Sequence, residues 1–227
     1  MARLQIWRVS PPPPSGTLVV MYVPKAFAED RLDVIAEIID DANVANLVTQ
    51  TADGLVATLL PMLWERSPDG NGSLVGHVAR ANSQWRSTLA GTETLAIFTG
   101  PDAYISPSWY PSKQHDSRVV PTWNYSGVHV YGTLVVHDDA PWKLGLVRRL
   151  TERHEGGRDM PWSVADAPAE YIDRMLGAIV GLELAVTRIE AKRKFSQNRD
   201  EADINGVVAG LAVGTKREQT VATEMRR

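Results

Sequence analysis

The chain has 227 residues, of which 44% are hydrophobic and 22% charged, so it is long enough to bury the core of one domain. It has no cysteine, which excludes disulfides, thiolate nucleophiles and cysteine-ligated metal centres and favours a reducing cytoplasm. The net charge is −3 and no apolar run reaches the roughly 18 residues of a membrane span, so neither direct DNA contact nor a membrane location is expected.

The N-terminal part of the chain predicts a leader followed by a helix. Residues 1–20 are expected to be flexible, since Pro11 to Pro14 interrupt any apolar stretch of a signal peptide, and Met21 is an alternative start. Apolar residues then recur at the spacing of an amphipathic helix over residues 28–43, with Asp30 as its predicted N-cap.

The following region is dominated by β-type patterns. Asp53-Gly54 between two such runs is a strong hairpin signal. About seven strands are predicted, over residues 45–51, 55–63, 74–78, 94–99, 104–106, 128–137 and 182–189. Further helices are predicted over residues 83–90, 141–154 and 168–180, and residues 213–227 are expected to form a flexible tail. Hairpin-linked strands with few helices favour an antiparallel barrel with helices packed outside, within one domain.

The familiar catalytic motifs are missing. There is no GxGxxG after a strand, no phosphate-binding GxxxxGK[ST], no HExxH and no GxSxG. No two of the five histidines have the i, i+4 spacing of a helical metal site, so a histidine-rich metal centre is not indicated.

The first segment with chemical potential is Gly76 to Trp85 (GHVARANSQW). It brings His77 to a strand end, Arg80 three residues later and the helix cap Asn82 directly after, followed by Trp85. A helix N-terminus beside an arginine favours a phosphate or carboxylate, and His77 is free to ligate iron or hydrogen-bond a ring system. The alternative is structural: a strand-end histidine and a surface arginine in an ion pair.

A second segment is rich in aromatic side chains with polar neighbours. Its rings lie within 22 residues and are interleaved with hydroxyl and amide groups; the residues in question are Tyr104, Ser106, Trp109, Tyr110, Thr122, Trp123, Asn124 and Tyr125. Such rings can form the wall of a site for a flat ligand while the polar groups orient it. Core packing and a dimer interface explain the same residues equally well, and stacking on nucleic-acid bases would require a basic groove that is not visible.

A third, weaker segment is Lys192 to Arg199 (KRKFSQNR). Its lysines and arginines are able to engage phosphate oxygens or a partner subunit, and the alternative is a solvated strand end.

Six ordered motifs resemble those of the PaiB-type, FMN-binding negative transcriptional regulators. They are MYVPKAF (21–27), GHVARANSQW (76–85), GPDAYISPSWY (100–110), VPTWNYSGVHVYG (120–132), AIVGLEL (178–184) and KFSQNRDEAD (194–203). The resemblance covers residues 21 to about 211 and departs at Arg193, where tryptophan is expected.

The resemblance implies a split β-barrel over residues 21–212, a homodimer with FMN at the subunit interface, and a site formed by the residues of the first two segments. A branch of the same family resembles haem-dependent piperazate synthases, which form an N–N bond from N5-hydroxyornithine. In that alternative His77 would be the axial ligand of haem b, and Arg80 or a lysine would pair with a propionate. The motifs do not separate an FMN-binding regulator from a haem enzyme.

Overall fold

Six strands form a closed antiparallel barrel in the computed structural model, which describes residues 21–67 and 71–227. The strands are β1 (Val44–Thr51), β2 (Gly54–Glu65), β3 (Ser73–Ala79), β4 (Thr94–Ile105), β5 (Thr122–His137) and β6 (Ile179–Lys194). They follow one another around the barrel in the order β1-β2-β3-β6-β5-β4. The expected antiparallel barrel with accompanying helices is therefore confirmed.

The hairpin between β1 and β2 forms where the sequence predicts it. Thr51 pairs with Gly54, and the Thr51 hydroxyl donates to the Gly54 carbonyl at 2.9 Å. Gly54 has a φ of 119°, a backbone conformation that glycine adopts without strain. The dipeptide Asp53-Gly54 thus fixes the register of these two strands.

Two of the predicted strands are one strand in the structure. The runs 94–99 and 104–106 both belong to β4, whose pairing with β5 shifts register between Thr99 and Asp102. Gly100-Pro101 lies within this irregularity, where the missing N–H of a proline costs no ladder hydrogen bond. Gly100-Pro101 therefore marks a bulge within one strand and not the end of a strand.

Six α-helices accompany the barrel in the described residues. They are α1 (Leu32–Ala42), α2 (Gln84–Ser87), α3 (Ala140–Glu155), α4 (Ala169–Gly177), α5 (Glu201–Ala212) and α6 (Lys216–Glu224). Helix α2 is shorter than the predicted 83–90, because Thr88 turns to extended backbone and bridges to Thr51. The N-cap of α1 is Arg31, one residue after the predicted Asp30.

The main core fills the barrel. Apolar side chains from all six strands form it, and α1 adds Ile35, Ile38 and Ile39. These three isoleucines lie on one face of α1 and are at most 7% exposed. Burying them fixes α1 to the strands β4 and β5.

A second core lies under the C-terminal helices α5 and α6. The sequence pattern predicts neither of these helices. Residues 213–227 were expected to be a flexible tail, yet residues 216–224 form α6, whose Val221 is fully buried. The helix begins with a capping box in which Thr215 and Glu218 bond each other's backbone. The segment looked polar because α6 buries only one narrow side.

The predicted leader over residues 1–20 lies outside the described residues. In the part of the chain that is described, no helix has the length and apolar character needed to cross a membrane.

Candidate functional site

His77 lies on the outer face of β3. Its neighbours Leu74 and Val78 point into the barrel core, so the alternation of a strand turns His77 outward. The side chain is nevertheless half-buried, and its Nδ1 atom is buried without a hydrogen-bond partner among the described residues. Burial lowers the pKa of His77 below its usual 6.5, because the charged imidazolium loses solvation there. The imidazole is therefore neutral at physiological pH.

A polar group surrounds His77 on the same face of the sheet. His77 is paired across the strands with Gly181, and Gly181 with His137, so the three residues lie side by side. His137 Nε2 is 2.8 Å from Glu183, and Glu183 also accepts from the Ser73 hydroxyl at 2.6 Å. That hydroxyl, more than any other contact, lowers the pKa of Glu183.

Trp142 of α3 covers this group. Its ring is stacked on His137 with 4.0 Å between centroids and 6° between planes. A Cβ atom at Gly181 would overlap the Trp142 ring, so glycine is required for this close approach. We call His77, His137, Glu183 and Trp142 the His77 group.

Arg80 is bound by partners within the chain. Its guanidinium forms an ion pair with Asp138 and donates to the backbone carbonyls of Gly177 and Ile179. Lys143, which is 3% exposed, donates to the same Asp138 at 3.0 Å. The two cations hold the pKa of Asp138 far below its usual range, with Arg80 the larger influence. Arg80 thus ties β3 to the α4–β6 junction, which is the ion-pair alternative left open above.

Asn82 and Trp85 also have structural partners. Asn82 donates to the Thr58 hydroxyl at 3.0 Å and accepts from the Gln84 backbone N–H at 2.9 Å, whereas the N-cap of the short helix is Ser83, one residue after the predicted Asn82. Trp85 donates its indole N–H to the Arg80 carbonyl at 3.2 Å. Both residues hold the turn that follows β3.

Of the predicted aromatic residues, two rings remain open to solvent. Tyr104 and Trp123 face each other across β4 and β5 with an edge contact of 6.0 Å between centroids. They are 45% and 53% exposed, which leaves apolar ring surface available to a ligand or partner. Ser106 lies two residues beyond Tyr104 and caps a short 3₁₀ helix by accepting from the Ser108 N–H.

Three other members of that segment have structural roles beneath the C-terminal helices. Trp109 packs so closely against α5 that Cβ atoms at Gly206 or Gly210 would overlap it. Tyr110 is 3% exposed, and this burial raises the pKa of its phenol. Asn124 is fully buried and donates to the Ser196 hydroxyl at 3.1 Å. The core-packing alternative therefore describes these three residues.

Two lysines lie beside these rings, and one of them is buried: Lys192 is 8% exposed and donates to the Tyr22 carbonyl at 3.2 Å. Lys192 and Lys194 lie on the outer face of β6, next to the ring of Tyr125, at 5.2 and 5.8 Å from its centroid. The Lys194 ammonium donates to the Thr122 hydroxyl at 2.6 Å and to the Trp123 carbonyl. Burial lowers the pKa of Lys194, and the nearby Lys192 adds to that effect.

We call Lys192, Lys194, Tyr104, Trp123 and Tyr125 the lysine–aromatic group. The basic KRK stretch is the sequence signal for its lysines, although it is the weakest of the three segments that the sequence offers. Sequence alone did not reveal that alternate residues of this stretch share a face with the exposed aromatic rings.

The third residue of the stretch, Arg193, points the other way. It is 7% exposed and binds Glu224 of α6 at 3.0 Å and Glu29 at 3.6 Å. The position that departs from the family pattern therefore joins the N-terminal segment and α6 to β6.

The two groups lie far apart within one chain. His137 and Tyr125, one from each group, are twelve positions apart on β5, or roughly 40 Å along a strand that rises 3.3–3.4 Å per residue. His77 is level with His137 in the sheet, whereas Lys194 is level with Tyr125. One chain does not bring the predicted site residues together.

The two groups offer different ligand chemistry. Among residues 21–67 and 71–227, no cluster of three or more histidine or carboxylate side chains could hold a metal ion. The His77 group offers a neutral imidazole beside a tryptophan, and the lysine–aromatic group offers ammonium groups beside flat rings. Together they suit an aromatic ligand that carries an anionic tail.

Comparison with known proteins agrees with this description. Residues 21–188 match the family described as "Putative FMN-binding domain". The chain is 34% identical over 193 residues to "Protease synthase and sporulation protein PAI 2" of Bacillus subtilis (strain 168), covering 84% of this chain and 89% of that protein.

Two solved structures share the fold. The flavocytochrome Anf3 from Azotobacter vinelandii has a TM-score of 0.54 at 16% identity, over 78% of this chain and 74% of that one. The FAD and heme binding protein from Mycobacterium smegmatis has a TM-score of 0.54 at 22% identity, over 81% of this chain and 80% of that one.

Proposed function

The chain belongs to the FMN-binding domain family, and we propose that it binds FMN in a site formed between two copies of the chain. The observation that carries this proposal is the separation of the His77 group from the lysine–aromatic group on one barrel. Each group supplies only part of what a flavin mononucleotide needs. A second copy, related by a two-fold axis, would supply the missing part to each of two equal sites.

The charged, aromatic and hydrogen-bonding side chains of the two groups match the chemical parts of FMN. Lys194 provides a cation for the phosphate, and the exposed rings of Tyr104 and Trp123 provide apolar surface for the isoalloxazine. The buried Nδ1 of His77 is a polar atom still without a partner, suited to a hydrogen bond with the ring system. When bound, FMN would supply one- and two-electron redox chemistry, while the chain would bind it, orient it and limit its contact with water.

An exposed apolar face supports the second copy as the partner. On the outer face of β2, Leu55 is 73% exposed and Leu59 is 62% exposed, with Ala57 between them on the same side. A row of this kind on a barrel is typical of an interface between subunits. We assign it to the homodimer because the cofactor site is incomplete without a second copy.

The haem reading is a second candidate, and one observation favours it. The depressed pKa of His77 keeps its imidazole neutral, as an iron ligand must be. A second observation counts against haem. An iron-bound histidine normally donates its second ring N–H to an acceptor, and Nδ1 of His77 has no acceptor among the described residues. A piperazate synthase activity would follow only if haem binds, and it stays a prediction.

The visible spectrum of the purified chain, offered FMN and haem in turn, separates the two candidates. We expect flavin bands and quenching of flavin fluorescence on binding. A Soret band that His77→Ala abolishes would instead assign haem. A chain that takes up neither chromophore would refute both.

Lys194→Met tests the lysine–aromatic group. It keeps most of the side-chain length and removes the charge, so FMN affinity should fall at least about tenfold, the usual magnitude for a charge-assisted hydrogen bond. Riboflavin, which lacks the phosphate, should bind the variant and the parent equally. Lys216→Met, at an exposed position on α6, is the matched control and should bind FMN like the parent.

The regulatory part of the family resemblance remains a hypothesis. The net charge of −3 gives no support for sequence-independent DNA contact. A sequence-dependent gel shift that persists with rising salt would support DNA binding, and no shift at low salt would reject it.

A further inference from the structure

A cavity of about 470 Å³ lies between α1, the bulge of β4 and α6, and it shares no lining residue with the two groups described above. Four carboxylates and one guanidinium line it: Glu37, Asp40, Asp41, Glu224 and Arg227. The lining therefore carries an excess of negative charge, which disfavours an anionic ligand such as FMN.

The carboxylates already hold a guanidinium. Arg227 Nη1 is 3.0 Å from Glu37 on α1 and 3.1 Å from Glu224 on α6. Two carboxylates from different helices thus bind one planar cation, the arrangement that a guanidinium ligand requires. Arg227 is 52% exposed, so its side chain can leave this position without uncovering the core.

The other carboxylates differ in what they bind. Asp40 is paired with Arg153 at 3.0 Å, and Glu224 also binds Arg193 at 3.0 Å. The Asp41 carboxylate has neither an ion pair nor a hydrogen bond among the described residues. One acceptor in the cavity is therefore free even while Arg227 is bound.

A buried hydroxyl also lines the cavity. Ser126 on β5 is 3% exposed and its side chain makes no hydrogen bond within the described part of the chain. Gly100 in the β4 bulge leaves room for this hydroxyl, since a Cβ atom at that position would overlap Ser126 Oγ. Since this residue lines the cavity and its hydroxyl has no partner within the described chain, the hydroxyl is suited to a polar group of a ligand.

We propose that this cavity binds a small organic cation that carries a guanidinium or ammonium group and takes the place of the Arg227 guanidinium. An organic cation is favoured over a metal ion because no lining cluster among the described residues has the donor arrangement of a metal site. The ligand cation would lie between Glu37 and Glu224, and its remaining polar atoms would face Asp41 and Ser126.

Titration calorimetry of the full chain with agmatine, a guanidinium compound without a carboxylate, tests this site. Glu37→Gln should weaken binding about tenfold, since it removes one charge-assisted hydrogen bond. Arg227→Ala should strengthen binding, because the competing guanidinium is gone. If Arg227 did not occupy the ligand position, Arg227→Ala would not bind agmatine more tightly than the parent.

Asp33→Asn is the matched control, since Asp33 is an exposed carboxylate on the same helix and does not line the cavity. It should bind agmatine like the parent. Equal weakening in Asp33→Asn and Glu37→Gln, no binding of agmatine, or binding of Mg²⁺ in its place would each overturn the proposal. FMN titration of the same variants is independent of these outcomes, so the FMN site and the cation cavity are tested separately.

Discussion

At the scale of single residues, His77 makes stability depend on pH. Burial lowers its pKa below 6.5 in the folded chain, and burial also lowers the pKa of His129. As pH falls below about 6.5, these histidines take up protons in the unfolded chain but not yet in the folded chain. The free energy of unfolding therefore decreases on acidification until the folded pKa values are reached. Above about 6.5 these two histidines are neutral in both states and contribute no pH dependence.

His77→Gln should therefore reduce the loss of stability between about pH 7.5 and pH 5.5, leaving the part due to His129. The measurement is the urea midpoint of unfolding across that pH range. His115→Gln, at an exposed position, is the control and should keep the parental pH dependence. An unchanged dependence in His77→Gln would show that this imidazole is not shielded from solvent in the folded chain.

Arg80 illustrates what sequence reading can and cannot do at this scale. The sequence correctly indicated an imidazole and a guanidinium near the end of one strand, because only Val78 and Ala79 lie between them. It could not indicate that Asp138, 58 positions away, would bind the guanidinium. Pairing across a barrel depends on register, which a local pattern does not encode.

At the scale of elements, α6 is held by a small apolar contact. Val221 is fully buried against the second core, whereas Val213, between α5 and α6, is 87% exposed. Val221→Ala removes two buried methyl groups and should lower the free energy of unfolding by about 2 kcal/mol. The measurement is urea denaturation.

Val213→Ala makes the same chemical change at an exposed position and should alter stability by less than about 0.5 kcal/mol. Equal small effects from both variants would mean that α6 is not docked on the barrel. Since α6 carries Glu224, Val221→Ala is also expected to weaken agmatine binding.

The elements that the sequence predicted well are those with strong local signals. The β1–β2 hairpin has its Asp-Gly turn, α1 its three buried isoleucines, and α3 its proline in the first turn. Helices α5 and α6 were missed, because their buried positions are few and interleaved with small or polar residues. Their docking depends on tertiary contacts such as Gly210 against Trp109.

At the scale of the whole molecule, the candidate site is divided between two regions of the barrel. Some of its members, such as His77, Tyr104 and Trp123, lie in motifs that the sequence singles out, whereas His137, Glu183 and Trp142 lie outside those predictions, and the distribution of all of them over the fold could not be predicted. His77 and Lys194 belong to separate motifs, and only the register of β3, β6 and β5 shows that they lie at opposite ends of the sheet. A composite site between two copies therefore makes a prediction about mixtures of variants.

His77→Ala and Lys194→Met each damage both sites of a homodimer, but they damage different regions of each site. If the two variants are mixed, unfolded and refolded together, half of the dimers should combine one chain of each kind. Each mixed dimer then has one site with both defects and one site with neither, so about one quarter of all sites should regain parental FMN affinity. A flavin-fluorescence titration of the mixture measures that fraction. Separately refolded variants, combined afterwards without exchange, are the control and should show no high-affinity fraction. If co-refolding also restores none, while mass spectrometry of the intact dimers confirms mixed dimers, then each site lies within one chain and the composite arrangement is wrong.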